Sequence, residues 1–440
     1  MFNYSARNVA GLSLIDGHLR EELNGAVAAS SKLFPVMVQF KAGCLTSGVQ
    51  HLESITNNHA HCQVNRSFPR FSLQGGNLTA VALEDLCYNC SDVKKVYLDR
   101  TFSVCLDTAT ETTRANVLQE ERDETGKGEG VTVAILDTGV HPSPDLMESE
   151  ERITGFQDFI NGREEPYDDN GHGTHCAGCA AGNGHQSDGE YKAPAPKANI
   201  VGVKVLDRMG AGSLSNIIAG VDWCIENQEA YDIRILSLSL GSPAMDPEDD
   251  DPVVQAVDQA WDEGMVVCVA AGNEGPNEGT IASPGISQKV ITVGALDEQG
   301  TPDRSDVDVA DFSSRGPTID GHTKPDLLAP GVDITAIRAP DAFLDQMERA
   351  KHINDDYISM SGTSMATPIC AGVCAQLLEL NSEWTPDEVK ERLREGAEDL
   401  GLESNTQGEG LLDAVASDND DDDDASDNED DAKDNGDDTQ

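Results

Sequence analysis

The stretch Met-Ser-Gly-Thr-Ser-Met-Ala-Thr-Pro (residues 360–368) sets one serine among small residues, directly before an apolar helical pattern. This layout puts Ser364 at or near a helix N-terminus, where free N–H groups and the positive end of the dipole favour a developing oxyanion. Pro368 then falls in the first turn, where its missing N–H costs little. Taken alone, a serine at such a position most often serves as an N-cap, so its role depends on the rest of the chain.

Three further stretches carry candidate reactive side chains: Ala-Ile-Leu-Asp-Thr-Gly (134–139), Asp-Asn-Gly-His-Gly-Thr-His (169–175) and Val-Ala-Ala-Gly-Asn (269–273). Together with Gly-Thr-Ser-Met-Ala (362–366), they resemble the four signature stretches of the subtilisin-like serine proteases (subtilases, peptidase family S8). They also follow that family's chain order of Asp, His, Asn and Ser. Residues 167–178 and 221–224 extend the resemblance towards the alkaline serine proteases of bacilli, over about residues 35–412.

The resemblance implies a role for each polar residue of these stretches. Ser364 is the expected nucleophile and His172 its base, chosen over His175 because the first His of the family motif is the catalytic one. Asp137 would hold the imidazole and stabilise its protonated form, and Asn273 would donate to the oxyanion. Considered singly, each has an ordinary structural explanation as a turn or cap residue.

The same resemblance assigns the substrate cleft to stretches of small residues. Glycine-rich residues 210–212 resemble an edge that pairs with an extended peptide, and two further segments resemble the walls of the pocket for the residue before the scissile bond. The predicted substrate-binding residues are Gly210, Ala211, Gly212, Ser239, Leu240, Gly241, Ala270, Ala271 and Gly272. These walls contain no buried charge, which favours apolar or aromatic side chains in the pocket.

Short Val- and Ile-rich runs alternate with helical patterns from about residue 131 onwards. This alternation predicts an α/β fold, a doubly wound parallel sheet with helices on both faces. Ligand sites in such sheets lie beyond the carboxyl ends of the strands. Asp137, Ser239 and Asn273 each follow one of these runs, so we expect the three residues to converge irrespective of any family.

Changes in composition divide the chain. Residues 1–33 are expected to form an N-terminal extension, and residues 34–107 a small ferredoxin-like α+β domain with the order β-α-β-β-α-β. The latter looks like the inhibitory propeptide of subtilases, although an unrelated small domain remains an alternative. Residues 108–128 are predicted to be a linker or processing region, residues 129–415 the catalytic domain, and residues 416–440 a disordered acidic tail. The acidic segment 246–251 and the long segment 341–356 have no counterpart in the shortest members of the family.

The charge balance is strongly negative, with 80 Asp and Glu against 30 Lys and Arg, or −50 overall. About −38 of this lies outside residues 417–440, which argues against nucleic acid or anionic membranes as partners. Such a surface suits a salty environment, where its self-repulsion is screened, but an ordinary soluble acidic protein is an equal alternative. The expected partners are protein or peptide substrates and the chain's own N-terminal segment, with the protein a monomer.

Eleven cysteines, an odd number, are scattered along the chain, and several fall in apolar patterns as small buried hydrophobes. Unpaired thiols and the lack of a secretory signal predict a cytoplasmic address, with release by another route as the alternative. No run approaches 18 apolar residues, so no membrane span is predicted. The chemistry needs no cofactor. Many subtilases bind structural calcium, so calcium stays possible here, with its ligands unassigned because no complete ligand set can be matched in the sequence.

The working hypothesis is therefore a serine endopeptidase with an Asp-His-Ser triad. Two alternatives stay open. One is a catalytically inactive binding module with the subtilase fold, which is disfavoured because every catalytic position is filled. The other is an esterase, because the same triad also cleaves activated esters.

Overall fold

The computed structural model describes residues 14, 15, 19, 23, 32–68, 72–98, 106–122, 125–148 and 150–418. The chain divides into two compact units, Met1–Phe102 and Ser103–Gln440. Within the described part of the chain, no helix is long and apolar enough to cross a membrane.

The first unit is a four-stranded antiparallel sheet with two helices, in the chain order β-α-β-β-α-β. Its elements are β1 (Leu33–Phe40), α1 (Leu45–Asn58), β2 (Gln63–Phe68), β3 (Leu73–Thr79), α2 (Ala80–Asn89) and β4 (Val93–Leu98). The spatial order of the strands is β2-β3-β1-β4. Alternate residues of β1 are buried, among them Val36 and Val38, because successive side chains of a strand point to opposite faces. Whether this unit acts as a propeptide stays a prediction.

Part of the predicted N-terminal extension belongs to the core of the first unit. Ile15, Leu19 and Leu23 are buried in that core, and the Val96 N–H donates to the Leu14 carbonyl at 2.7 Å. Their apolar spacing of four residues is typical of one face of a helix. The remainder of residues 1–31 lies outside the described residues.

The second unit is built on a mainly parallel sheet. Its strands are β5 (Thr132–Asp137), β6 (Ile153–Asp158), β7 (Asn199–Lys204), β8 (Ile233–Leu238), β10 (Val266–Ala270), β12 (Ile291–Asp297), β13 (Asp308–Val309) and β14 (Leu327–Pro330). The spatial order is β13-β12-β10-β8-β5-β7-β6, with β14 also paired to β12 and only β13 antiparallel. Two small antiparallel pairs join β9 (Ser242–Pro243) to β11 (Ala282–Ser283) and β15 (Ile334–Ile337) to β16 (Tyr357–Met360).

Helices cover this sheet, so the prediction of an α/β fold with a parallel sheet packed against helices is confirmed. The main helices are α6 (His172–Ala181), α7 (Leu214–Glu226), α9 (Pro252–Asp262), α11 (Thr363–Leu380) and α12 (Pro386–Glu395). The shorter ones are α5 (Pro144–Met147), α8 (Gln228–Tyr231), α10 (Phe343–Met347), α13 (Ser404–Gln407) and α14 (Ala414–Asp418). Helix α11 packs on α6, α7 packs on α9, and both pairs contact the sheet.

The predicted linker at residues 108–128 contains two helices instead, α3 (Leu106–Thr112) and α4 (Ala115–Glu121). Ala109 and Leu118 are buried in the core of the second unit, and Thr110 donates from Oγ1 to the Lys192 carbonyl at 2.8 Å. The polar composition was misleading because each helix has only two turns. A narrow stripe of small and apolar residues is enough to dock a helix of that length.

The start of the predicted disordered tail also differs from the structure. Residues 416–418 complete helix α14, where Ser417 is buried and donates to the Asp413 carbonyl at 2.7 Å. Asp418 pairs with Arg122, the residue directly after α4. Tertiary contacts with α4 therefore extend order past the point where the apolar pattern ends. The rest of the tail, residues 419–440, lies outside the described residues.

Candidate active site

The four motif residues lie at the carboxyl edge of the parallel sheet. Asp137 is the last residue of β5, and Asn273 follows β10 by three residues. His172 is the first residue of α6, and Ser364 lies in the first turn of α11. The topology thus brings together side chains from four distant parts of the chain, as expected at the carboxyl edge of a doubly wound sheet.

Asp137 and His172 form a close hydrogen-bonded pair. The His172 Nδ1 lies 2.8 Å from one carboxylate oxygen of Asp137 and 3.0 Å from the other. Asp137 is fully buried and also accepts the Thr138 N–H at 2.7 Å, so its carboxylate is held in one orientation. A carboxylate in this position favours the tautomer with the proton on Nδ1, which leaves Nε2 free to accept a proton.

Two residues that the sequence analysis did not assign support this pair. Asp168 accepts hydrogen bonds from the N–H groups of Asn170 and Gly171, and from the N–H and hydroxyl of Thr174. These bonds fix the turn that we call the His172 loop (residues 168–172). Lys204, fully buried, donates to Asp169 at 2.7 Å from beneath the same loop. An acidic run before the motif histidine is the signal that could have revealed Asp168.

Cys176 is the third neighbour of the pair and was also missed. Its Sγ lies 3.8 Å from His172 Nδ1 and 3.9 Å from Asp137, and it contacts the Ser364 carbonyl at 3.5 Å. Burial raises the pKa of this thiol, which keeps it protonated and uncharged. It therefore fills the space behind the imidazole as a small apolar group.

The environment of His172 predicts that the acid-side fall of kcat/KM occurs at an unusually high pH. Burial alone would lower the pKa of His172, but the Asp137 carboxylate outweighs it and the pKa lies well above its ordinary value. A general base works as neutral imidazole, so kcat/KM should rise with pH through a pKa above about 6.5. A profile of kcat/KM from about pH 5 to about pH 10 checks this. An acid limb below about 6.5, or no shift to lower pH in Asp137→Asn, would contradict it.

Ser364 occupies the N-terminal turn of α11 with its hydroxyl turned towards β8. Its Oγ donates to the Ser239 carbonyl at 3.2 Å, and Ser239 returns a bond from its own Oγ to the Ser364 carbonyl at 2.7 Å. Among the described residues, no hydrogen bond joins Ser364 Oγ to His172. Catalytic hydrogen bonds are often long or misaligned without substrate, so this geometry is compatible with a nucleophile at rest.

Asn273 is oriented by Thr363, the residue before Ser364. The Asn273 Oδ1 accepts the Thr363 N–H at 3.0 Å and the Thr363 hydroxyl at 3.1 Å. This occupies the amide oxygen and leaves the amide N–H₂ group at the cleft, where an oxyanion would form. The sequence analysis assigned Asn273 but gave no role to Thr363.

A cleft of about 1210 Å³ contains His172, Ser364 and Asn273 and most of the predicted substrate-binding residues. The exception is Ala271, which is buried in a separate apolar cluster with Val254, Ile281 and Ile286. His172 and Glu274 are the ionisable residues among the described ones that line it. Apart from these two residues, the described lining of the cleft is uncharged.

The floor of the pocket comes from residues 279–284, a segment the sequence analysis missed. A Cβ on Gly241 would lie 3.1 Å from the Cβ of Ala282, and one on Gly272 would lie 3.0 Å from the same atom. Ala282 thus sits between the two predicted walls. Glycine in both walls lets them approach this residue closely, so the two walls come together at Ala282.

Possible metal ligands form two groups within the described ranges. One is Asp137, His172 and Cys176, whose imidazole and carboxylate are already paired with each other. The other is Cys268, Cys370 and Cys374, buried in the apolar core, where three thiolates would carry an uncompensated charge. Neither group offers the clustered oxygen ligands that calcium needs, so no step or residue is assigned to calcium.

Comparisons with known proteins identify the family of this chain. The model of the subtilase family matches residues 128–437. The chain is 48% identical over 393 residues to serine protease AprX of Bacillus subtilis, covering 88% of each protein. It is 33% identical to subtilisin Savinase of Lederbergia lenta, over 66% of this chain and 91% of that protein. A crystal structure of a cold-adapted subtilisin-like serine proteinase matches with a TM-score of 0.50 and 30% identity, over 66% of this chain and 90% of the other.

Proposed function

This chain belongs to the subtilase family of serine endopeptidases, and from that premise we propose that Asp137, His172 and Ser364 form its catalytic triad. The observation that carries the proposal is the hydrogen-bonded pair of Asp137 and His172, located in one cleft with Ser364 and Asn273. The inactive binding module of the sequence analysis is disfavoured because each of these four positions holds a group able to perform its step.

The reaction begins when Ser364 Oγ exchanges its bond to the Ser239 carbonyl for one to His172 Nε2. As Oγ attacks the scissile carbonyl carbon, its proton moves to Nε2, and Asp137 stabilises the imidazolium. His172 then gives that proton to the leaving amine, and the C–N bond breaks to leave an acyl-enzyme. Water repeats the sequence on the ester, which releases the acid and restores Ser364.

The oxyanion of each tetrahedral intermediate would be bound by the Asn273 side-chain N–H and the Ser364 backbone N–H. The latter is among the N–H groups of the first turn of α11, which have no partner within the helix. Because Thr363 fixes the amide of Asn273 in advance, the donor needs no reorganisation when charge develops.

The pocket supports a preference for apolar or aromatic residues directly before the scissile bond. Its walls, residues 239–241 and 270–272, meet at Ala282, and Glu274 is the acidic residue among the described ones that line the cleft. Burying an acidic substrate side chain there would leave its charge without a partner, which is costly. Large apolar side chains would instead gain from leaving water.

Hydrolysis of casein and of matched peptide amides and esters by the purified full-length chain tests the proposed function. An endopeptidase cleaves casein internally and hydrolyses the amides. Cleavage of esters without amides would identify the esterase, and absence of any turnover would favour the inactive module. Amides with Phe or Leu before the scissile bond should be cleaved faster than those with Asp or Lys.

We also propose that the first unit is a temporary inhibitor and folding aid that the enzyme removes. A large parallel sheet forms slowly because its contacts are distant in sequence, and a small helper domain can lower that barrier. From the sequence, we expect the cleavage within residues 101–113, where the chain turns polar. Helix α3 begins at Leu106 and is packed into the core of the second unit, so we expect the cut before it.

Expression of the wild type beside Ser364→Ala tests this maturation. The wild type should lose roughly its first hundred residues, while the inactive variant stays full length, because the enzyme cuts its own chain. Intact mass and N-terminal sequencing of both proteins give the result. Wild-type protein that remains intact and fully active would show that the first unit is no inhibitor.

The surplus negative charge predicts a dependence on salt. About −38 lies outside residues 417–440, and these charges repel one another most strongly at low ionic strength. Activity and Tm should therefore rise with NaCl towards about 1 M, where the screening length falls to about 3 Å. Sucrose of equal osmolality is the control, because it does not screen charge. Equal responses to sucrose and NaCl, or a flat response to NaCl, would reject the proposal.

A further inference from the structure

The long segment 341–356, which we call the insertion, docks on the His172 loop through its backbone. It connects β15 to β16 and contains helix α10. The Phe343 N–H donates to the Asp169 carbonyl at 3.0 Å, and the Leu344 N–H donates to the Asn170 carbonyl at 2.8 Å. Two backbone hydrogen bonds therefore hold the insertion against the residues that immediately precede His172.

Docking places one apolar side chain of the insertion at the cleft. Leu344 is half-buried and lines the cleft that contains His172 and Ser364. A Cβ on Gly171 would lie 3.8 Å from the Leu344 Cβ, which shows how closely this residue approaches the loop. Phe343 packs elsewhere, with its ring 5.7 Å from the Arg208 guanidinium.

The position of Asn170 shows which part of a substrate Leu344 faces. The Asn170 side chain donates to the Arg208 carbonyl at 2.9 Å, and a Cβ on Gly210 would lie 3.6 Å from Asn170 Nδ2. Asn170 therefore joins the His172 loop to residues 210–212, the edge proposed to pair with the peptide before the scissile bond. Leu344, bonded to Asn170, lies on this side of the cleft.

The pleat of an extended peptide then determines which substrate residue faces Leu344. Successive side chains of a strand point in opposite directions. When the residue before the scissile bond enters the pocket above Ala282, the residue preceding it points the other way, towards His172. Leu344 is an apolar residue of the cleft lining on that side. Leu206 also lines the cleft, and a Cβ on Gly212 would lie 2.6 Å from its Cδ2.

We propose that Leu344 is a specificity-determining residue that selects a bulky apolar side chain at the second residue before the scissile bond. This inference rests on the proposed function and adds a substrate position to it. Leu344 would contact the substrate side chain directly and shield it from water, so the gain should grow with the size of that side chain.

Asp345 acts as a positioning residue for Leu344. It pairs with Arg338, lies 2.9 Å from His352 Nε2, and accepts the Asp341 N–H at 2.9 Å. Burial alone would raise the pKa of Asp345, but the hydrogen bonds from Arg338 and Asp341 outweigh it and hold the pKa below its ordinary value. The carboxylate therefore stays charged near neutral pH and ties both ends of the insertion to the residue next to Leu344.

The test compares kcat/KM for peptide amides with Phe before the scissile bond and either Leu or Gly preceding it. In Leu344→Ala, the ratio of the Leu to the Gly substrate should fall about fivefold, with the Gly substrate nearly unaffected. Leu344→Met should restore most of the ratio, and Asp345→Asn should lower it in the same direction. Met347→Ala is the matched control, because Met347 lies on the same helix, is 66% exposed and is outside the cleft lining.

The outcomes separate this inference from the proposed function. An unchanged Leu-to-Gly ratio in an active Leu344→Ala enzyme overturns the inference alone, as does an equal loss on both substrates. The inference is also overturned if Leu344→Ala changes the preference for the residue after the scissile bond instead. Wild-type enzyme that cleaves neither amide overturns the proposed function itself.

Discussion

Ser364→Ala should lower kcat on a peptide amide by about 10⁴-fold or more, while KM changes little. Removal of the nucleophile leaves only binding and the oxyanion donors, and in subtilisin the corresponding loss is about 10⁶-fold. Ser361→Ala is the matched control. Ser361 lies three residues earlier in the same stretch, is exposed, and bonds to the Asp333 N–H at 2.8 Å rather than to the catalytic groups. Active-site titration and kcat measurements on both variants check the prediction: Ser364→Ala should lose turnover and Ser361→Ala should keep it.

The triad should also behave as one unit. His172→Ala and Asp137→Ala each remove most turnover, and each combined with Ser364→Ala should lose little more than Ser364→Ala alone. The reason is that His172 and Asp137 act only through the serine hydroxyl. Additive losses would show that these residues contribute independently. Turnover close to wild type in Ser364→Ala would overturn the mechanism.

Asn273→Ala should lower kcat about 10²- to 10³-fold with little effect on KM, the loss seen when one such donor is removed from subtilisin. The donor acts on charge that appears only in the transition state, so the ground-state complex should be almost unaffected. Asn277→Ala, which removes a nearby exposed asparagine outside the cleft lining, should leave kcat unchanged.

Asn273→Asp distinguishes the donor from the structural contacts of the same residue. The carboxylate can still accept both hydrogen bonds from Thr363, but it has no N–H to offer the oxyanion. The loss in kcat should therefore be at least as large as in Asn273→Ala, with Tm nearly unchanged. A kcat near that of the wild type in Asn273→Asp would show that this side chain does not stabilise the oxyanion.

Local patterns account for the parts of the fold and site that could be predicted. Val- and Ile-rich runs such as β5 and β10 are buried on both faces, so their composition alone indicates a parallel sheet. The candidate catalytic residues follow such runs or open helices, and their order along the chain matched a known family. These signals are short and continuous in sequence, which is why they can be read without a structure.

Weak local signals explain the errors. Helices α3 and α4 have two turns each and a polar exposed face, so their composition resembles that of a linker. The end of α14 has the composition of an acidic tail, yet Asp418 forms an ion pair with Arg122, nearly three hundred residues away in sequence. Such short helices form because tertiary packing stabilises them, not because their own propensity is high.

By itself, the sequence determined the fold class, the candidate triad and Asn273, because each depends on residue types within a few positions of one another. Only the tertiary structure decided how these groups are held. The sequence did not predict Asp168 within the His172 loop, Lys204 beneath that loop, Thr363 on the amide of Asn273, or Leu344 at the cleft. The bond from Leu344 to the Asn170 carbonyl spans more than 170 residues. Its formation depends on the path of the chain between β15 and β16, which no local pattern encodes.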